Sequence, residues 1–314
     1  DSHATQTGEI MRRFEQVVDA VAPEAVLVVG DVNSTLACSL VAAKKGVAVT
    51  HVEAGLRSGD RAMPEEINRV LTDQLAGLHF ITEPGARDHL LREGIDPDGI
   101  HFVGNVMIDS LLHHRDHATP PAQTLARYLS EGGAGMSAGD YALVTLHRPA
   151  NVDDSDVLAG VVETLEQVSE RLPLVFPVHP RTHKALEPVG WPRGRRYPIR
   201  VLPPVGYLEM LGLMAGARVV LTDSGGMQEE TTALGVPCVT LRENTERPVT
   251  LEQGTNTLTG LDRNWILETV DDVLATGGKK GRVPELWDGQ AAERIADVLL
   301  RWAPLAGIQK SHSA

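Results

Sequence analysis

The sequence predicts an α/β protein of two doubly wound, Rossmann-like domains facing each other across a cleft. Three observations carry this. A short β-branched run, a glycine or polar turn and an amphipathic helix recur in that order along most of the chain. The recurrence breaks once, over residues 115–140, where His-Ala-Thr-Pro-Pro, one short helix and Glu-Gly-Gly-Ala-Gly have a linker's composition. The length, 314 residues, is enough for two such domains.

Taken in order, Ile10, Phe14, Val17, Val18 and Val21 follow helical spacing, so a helix comes almost at once. The strand Ala25–Val29 runs into Gly30-Asp31-Val32-Asn33-Ser34-Thr35, then a helix ending near Lys45-Gly46, then the strand Val47–His51. Glu53-Ala54-Gly55-Leu56-Arg57 follows, and Pro64 suits the first position of the next helix. In that helix Ile67, Val70, Leu71 and Leu75 form the expected core stripe, leaving Glu65, Asn68, Arg69 and Thr72 on another face. His79–Thr82 and Ile100–Val103 read as two more strands. A second series has strands at Tyr141–Leu146, Leu174–Val178, Ile199–Leu202, Arg218–Thr222 and Cys238–Leu241, and an amphipathic helix runs from Ala291 to Trp302. The expected divisions are a first domain at 1–120, a linker at 121–140, a second domain at 141–285 and a C-terminal helical segment at 286–314. Because the chain opens Asp1-Ser2-His3 without a methionine, the first domain is expected to be incomplete at its N-terminus.

Composition excludes several classes. Hydrophobic residues make up 42% and charged residues 23%, as in ordinary globular proteins, and no apolar run reaches the roughly 18–20 residues that span a bilayer. No secretory signal pattern is present, and only Cys38 and Cys238 occur, each in an apolar segment, which suits a reducing cytoplasm. A net charge of −13 argues against nucleic acid as a partner, while a small anion can still be held by local arginines and helix N-termini. His113, His114 and His117 lack the partner spacing of a metal site, and no Gly-x-Gly-x-x-Gly fingerprint marks a dinucleotide cofactor, so neither metal nor cofactor is expected.

The clearest site signal is Val219-Val220-Leu221-Thr222-Asp223-Ser224-Gly225-Gly226-Met227-Gln228-Glu229-Glu230. A strand running through Ser-Gly-Gly into a helix lets a diphosphate approach free backbone N–H groups, and Glu230, one turn in, suits ribose hydroxyls. A plain capped turn fits the same residues. Arg242 to Pro248, with Arg247, lies at the next strand's C-terminal end, where open α/β sheets bind ligands, though a surface loop has the same composition. Asp31 and Glu53 each follow a strand directly and share one sheet edge, while Glu65 opens a helix, where an acid is also favoured by the dipole. Three acids in one cleft suit proton transfer. His147-Arg148 and His179-Pro180-Arg181 end successive strands and suit phosphate or leaving-group charge, or plain structural roles.

Gly30-Asp31, His51-Val52-Glu53-Ala54-Gly55-Leu56-Arg57, Pro64-Glu65-Glu66-Ile67-Asn68-Arg69, Gly104-Asn105 with Asp109, His147-Arg148 and the Asp223–Glu230 run through Thr245-Glu246-Arg247-Pro248 match in order and spacing from about residue 1 to 300. In these motifs the chain resembles the non-hydrolysing UDP-N-acetylglucosamine 2-epimerases. The resemblance implies a glycosyltransferase-B type fold, a homodimer, and a final helix crossing back onto the first domain. It implies interconversion of UDP-N-acetylglucosamine and UDP-N-acetylmannosamine through elimination of UDP, with Asp31, Glu53 and Glu65 as acid/base carboxylates and His147 stabilising the leaving UDP. Ser224, Gly225 and Gly226 would take the diphosphate and Glu230 the ribose; Arg57, Arg69, Arg148, His179 and Arg247 join the substrate-binding set. A second UDP-N-acetylglucosamine binds as activator in many bacterial members.

The family's opening strand and Gly-Thr-Arg-Pro-Glu turn have no counterpart here, so Val26–Val29 is expected to expose an apolar edge and the chain to be unstable or inactive without that segment. Three other readings stay open: a glycosyltransferase of the same architecture, a hydrolysing relative that releases UDP and N-acetylmannosamine, and an inactive nucleotide-sugar-binding fragment.

Overall fold

A computed structural model describes residues 2–129, 137–188, 191 and 198–302. Its elements begin α1 (His3–Val21), β1 (Ala25–Val29), α2 (Asn33–Lys44), β2 (Ala48–Val52), α3 (Pro64–Leu75), β3 (Leu78–Ile81), α4 (Pro84–Arg92), β4 (Ile100–Phe102) and α5 (Val106–His114). They continue α6 (Pro121–Tyr128), β5 (Ala142–Thr145), α7 (Pro149–Val152), α8 (Ser155–Ser169), β6 (Leu174–Pro177), α9 (Pro180–Leu186), β7 (Ile199–Leu202) and α10 (Tyr207–Ala215). The last are β8 (Val219–Thr222), α11 (Gly225–Leu234), β9 (Cys238–Thr240), α12 (Pro248–Glu252), β10 (Asn256–Leu258), α13 (Arg263–Thr276) and α14 (Ala291–Arg301). No helix among the described residues is long and apolar enough to cross a membrane.

The chain separates into two compact units, residues 1–109 with 285–314, and residues 110–284. The first boundary falls at Asp109, ahead of the 120 read from the sequence. Helix α6, inside the expected linker, buries Leu125 completely among Tyr141, Leu143 and Leu211, so it belongs to the second unit's core. The Glu131–Gly135 stretch of that linker and the tail beyond Trp302 lie outside the described residues.

Unit 1 holds a parallel four-stranded sheet in the order β1-β2-β3-β4. On one face Val28 and Val49 pack against Ala42 of α2. On the other, Val52, Leu78 and Phe80 pack against Ile295 of α14. Each such fully buried large side chain contributes about 1.5–3 kcal/mol. Strand β1 is an edge, and its Leu27 and Val29 are 46% and 47% exposed. The segment before α14 and the start of that helix are tied to the rest of unit 1. Trp287 donates its indole N–H to the Thr82 carbonyl at 3.0 Å. Asp109 caps α14 through the N–H groups of Ala291 and Ala292 at 3.1 and 2.7 Å. Gly104, at φ +88°, leaves no room for a Cβ, which would land on the Leu286 carbonyl oxygen.

Helix α3 departs from its pattern. Ile67 and Leu71 of the expected core stripe are 44% and 45% exposed, while Glu66, Asn68, Arg69, Thr72 and Asp73 are buried. The polar face goes inward because its charges satisfy one another, which removes most of the penalty of burying them.

Unit 2 holds a parallel six-stranded sheet in the order β10-β9-β8-β5-β6-β7. Relabelled from β5, this is the dinucleotide-fold order 3-2-1-4-5-6, with its switch point between β5 and β8. Strands β6 and β8 are buried along their whole length, as expected where helices cover both sides of a parallel sheet. The edge strand β10 completes the sheet, Asn256–Leu258 pairing with Cys238–Thr240.

Candidate active site

In unit 2 the residues at the switch point are drawn together by one carboxylate. β5 ends in Leu146-His147-Arg148 and its neighbour β8 in Asp223. Fully buried Asp223 accepts the backbone N–H groups of His147 and Arg148 at 3.0 and 2.9 Å and the Asn151 amide at 3.1 Å. It also lies 2.9 Å from His147 Nδ1. Burial alone would raise the Asp223 pKa, but His147 and these N–H groups outweigh it and hold the carboxyl below its ordinary value. An ionised Asp223 keeps the proton on Nδ1 and leaves Nε2 to meet a ligand, on a side chain 40% exposed.

The turn after Asp223 starts α11. Ser224 is its N-cap residue, with no side-chain cap bond and no acid in the first turn, so the first N–H groups are left to an anion. A side chain on Gly225 would force Glu246 to shift, since a Cβ would come within 2.6 Å of its Oε1; Gly226 follows it into the helix. Glu246 accepts from Arg242 at 2.7 Å and lies 3.7 Å from Arg148. Burial pushes its pKa up, yet Arg247 and Arg242 hold it far below the carboxylate range. Arg247 pairs with Glu229 at 2.9 Å, its side chain 6% exposed. Gln228 ties this loop to α11, accepting from Thr245 at 2.7 Å and from Asn256 at 3.0 Å.

Glu230 sits one turn further along. Burial raises its pKa to about 6, opposed by a 3.2 Å hydrogen bond from the Tyr207 hydroxyl. The Tyr207 ring stacks edge-on against His114, and burial together with the Glu230 charge pushes its own pKa to about 12. His179 is exposed, caps α9 through Nδ1, and has its ring 6.1 Å from that of His147.

In unit 1 the parallel strands bring Asp31 and Glu53 to one sheet edge. Asp31 is held by the Arg69 guanidinium, which also grips Glu66 at 2.5 Å, and Asn68 donates to the Asp31 carbonyl at 2.9 Å. Glu53 has φ +71°, a left-handed conformation costing a non-glycine residue about 1–2 kcal/mol, and its N–H and that of Ala54 both bond the Phe80 carbonyl. Its Oε2 lies 3.9 Å from where a Cβ on Gly30 would sit. Glu65 is half-buried in the first turn of α3, one turn before Arg69. Arg57, expected to contact substrate, has its guanidinium on Asp73 at 2.7 Å and on Glu93 at 2.5 Å.

Sequence reasoning missed Asp223 as the partner of His147, Asp73 beneath Arg57, and Tyr207 beside Glu230. Among the described residues no group of three His, Cys, Asp or Glu is placed to hold a metal ion.

A 3-2-1-4-5-6 sheet with histidine, arginine and an uncapped Ser-Gly-Gly turn at its switch point defines unit 2 as an α/β domain of the dinucleotide-fold type. The chain belongs to the UDP-N-acetylglucosamine 2-epimerase family, whose model matches residues 1–300, and it is an epimerase. It is 41% identical to the UDP-N-acetylglucosamine 2-epimerase of Methanocaldococcus jannaschii, over 95% of this chain and 81% of that one. It is 39% identical to the UDP-2,3-diacetamido-2,3-dideoxy-D-glucuronate 2-epimerase of Pseudomonas aeruginosa, over 96% of this chain and 81% of that one. The crystal structure of the M. jannaschii enzyme in complex with UDP-GlcNAc and UDP matches with a TM-score of 0.87 at 39% identity, covering 96% of this chain and 82% of that one.

Proposed function

We propose that the chain interconverts UDP-N-acetylglucosamine and UDP-N-acetylmannosamine without releasing the sugar. The observation that carries this reading is the Asp223–His147 pair set beside the uncapped Ser224-Gly225-Gly226 turn, with Glu230 one turn beyond. Such a site suits a nucleoside diphosphate: helix N–H groups for the phosphates, a histidine for charge on the leaving oxygen, a carboxylate for the ribose diol. Names borne by relatives at 39–41% identity support the substrate class.

The carboxylates of unit 1 supply the proton chemistry. The C2 proton has no adjacent carbonyl, so its removal is coupled to departure of UDP. One carboxylate of the set Asp31, Glu53 and Glu65 takes the C2 proton, the C1–O bond breaks with its electron pair going to UDP, and a C1–C2 double bond forms. A second carboxylate delivers a proton to the opposite face of C2 while a UDP oxygen re-adds at C1, so atoms and charge balance over the cycle. Asp31, tied to Arg69, and Glu53, fixed in its left-handed turn, have the preset geometry this requires.

Incubating the full chain with UDP-N-acetylglucosamine in deuterated water and following C2 by proton NMR tests the reading. Deuterium at C2 with a growing UDP-N-acetylmannosamine signal is the expected result. Free N-acetylmannosamine and UDP would show the hydrolysing reaction instead. Turnover confined to the diacetamido-glucuronate substrate would move the chain beside its P. aeruginosa relative.

A further inference from the structure

The deepest carboxylate in unit 1 is Asp73, on the third turn of α3 and fully buried. Burying an ion there costs several kcal/mol unless its oxygens are matched. They are matched by three donors from one short segment. His51 Nδ1 meets Oδ1 at 2.6 Å, and Oδ2 receives the Gly55 N–H at 3.1 Å and the Arg57 guanidinium at 2.7 Å. Those donors bracket Glu53.

The connection continues beyond that segment. His51 Nε2 lies 2.8 Å from the carbonyl of Gly30, the residue before Asp31. Both ring nitrogens thus face acceptors that have no proton to give, so His51 carries two protons and a positive charge. Burial alone would lower the His51 pKa; Asp73 outweighs it and the net shift is upward, while Asp73 is held below its ordinary value. One chain of charged hydrogen bonds therefore runs from α3 through β2 to the turn after β1.

We infer that Asp73 is a positioning residue for the epimerisation, fixing the turns that carry Glu53 and Asp31 through Gly55 and Arg57 on one side and through His51 and Gly30 on the other. A non-glycine residue at φ +71° persists only where its surroundings over-determine it, and the bond from Gly55 to Asp73 is part of what holds Glu53 there. Asp73 touches no reacting atom in this scheme. Arg69, one turn earlier on the same buried face, grips Asp31 directly, so α3 steadies both carboxylates from two levels.

The inference rests on the proposed reaction, and its test separates the two. Asp73→Asn keeps the shape and removes the charge. In the full chain it is expected to lower kcat at least tenfold while KM for UDP-N-acetylglucosamine stays within threefold. The primary isotope effect on kcat with substrate deuterated at C2 is expected to rise as proton transfer becomes limiting. That ratio does not depend on how much protein is folded, so a slower variant with an unchanged isotope effect would reduce Asp73 to a structural residue. If wild type shows no turnover, the proposed reaction fails and a second measurement judges Asp73: amide NMR shifts of Asp31 and Glu53 should both move in the variant. Shifts confined to α3 and its direct partners would overturn the inference. His51→Gln, which breaks the chain one link later, should move the Asp31 signal even if Asp73→Asn does not fold.

Discussion

Replacing Glu53 by glutamine is expected to lower kcat by about 10²–10⁴, the usual contribution of a positioned acid/base group, with little change in the affinity for UDP. Glutamine keeps the length and polarity of the side chain but can neither take nor deliver a proton at C2. In the proposed reading UDP is held by unit 2, so kcat and binding should part company. The backbone makes a second variant informative. Glu53 holds φ +71°, strain that glycine would not feel. Glu53→Gly is therefore expected to be inactive yet no less stable than wild type, despite glycine's greater freedom in the unfolded chain. Loss of C2 deuterium exchange with an undiminished melting temperature is the outcome to look for. A marked fall in melting temperature would mean the side chain itself holds the turn, and the residue's role would need to be reassigned.

UDP binding should weaken steeply below about pH 6, and Glu230 is the reason. Burial raises this carboxyl from its ordinary 4.5 to about 6. In the proposed reading ribose hydroxyls donate to the ionised form, so binding selects it, and affinity is expected to fall toward a limiting tenfold per pH unit once the pH drops below the raised value. The Tyr207 hydroxyl, the titratable partner on this carboxylate, stays protonated throughout that range. Glu230→Gln should flatten the pH profile and weaken binding at pH 7.5 about 10- to 100-fold, from loss of charge-assisted hydrogen bonds. Stability moves in the opposite sense. Because the folded form holds its proton more tightly, the wild-type fold loses about 2 kcal/mol as the pH rises from about 4.5 to about 6, and the variant should not. Calorimetric titration of UDP across pH 5–8 on both proteins checks the binding, and their unfolding free energies across about pH 4–7 check the stability; a wild-type affinity flat through the first range would detach Glu230 from the ribose.

Local signals read true where they were local. The Ser224-Gly225-Gly226 turn, the strand ends at His147 and Asp223 and the Pro64 helix start each depend on neighbours in sequence. What escaped depends on distant partners. His147 finds Asp223 across 76 residues, His51 finds Asp73 across 22, and Tyr207 finds Glu230 across 23. Helix α3 shows the same failure energetically. Hydrophobic spacing put Ile67 and Leu71 inward, but the mutual pairing of Glu66, Arg69, Asp31 and Asp73 with their neighbours made the polar face the buried one. Strand β10, only three residues long, is absent from the strands read in the sequence and gains its identity from pairing with β9. Arg57 looked like a ligand residue in its motif, yet its charge is committed to Asp73 and Glu93.

The cap that Asp109 places on α14 has a consequence for the order of events during synthesis. Unit 1 is interrupted in the chain by the whole of residues 110–284. Val52, Leu78 and Phe80 obtain their cover from Ile295, so that face stays wet until translation has passed α14. Unit 2 is one continuous stretch of chain, residues 110–284, and can close earlier; pulsed hydrogen exchange during refolding should protect β5 and β8 before β3. Domains ordinarily mature in the order in which they leave the ribosome. Here the half made first must wait for α14, and the half made second is ready before it.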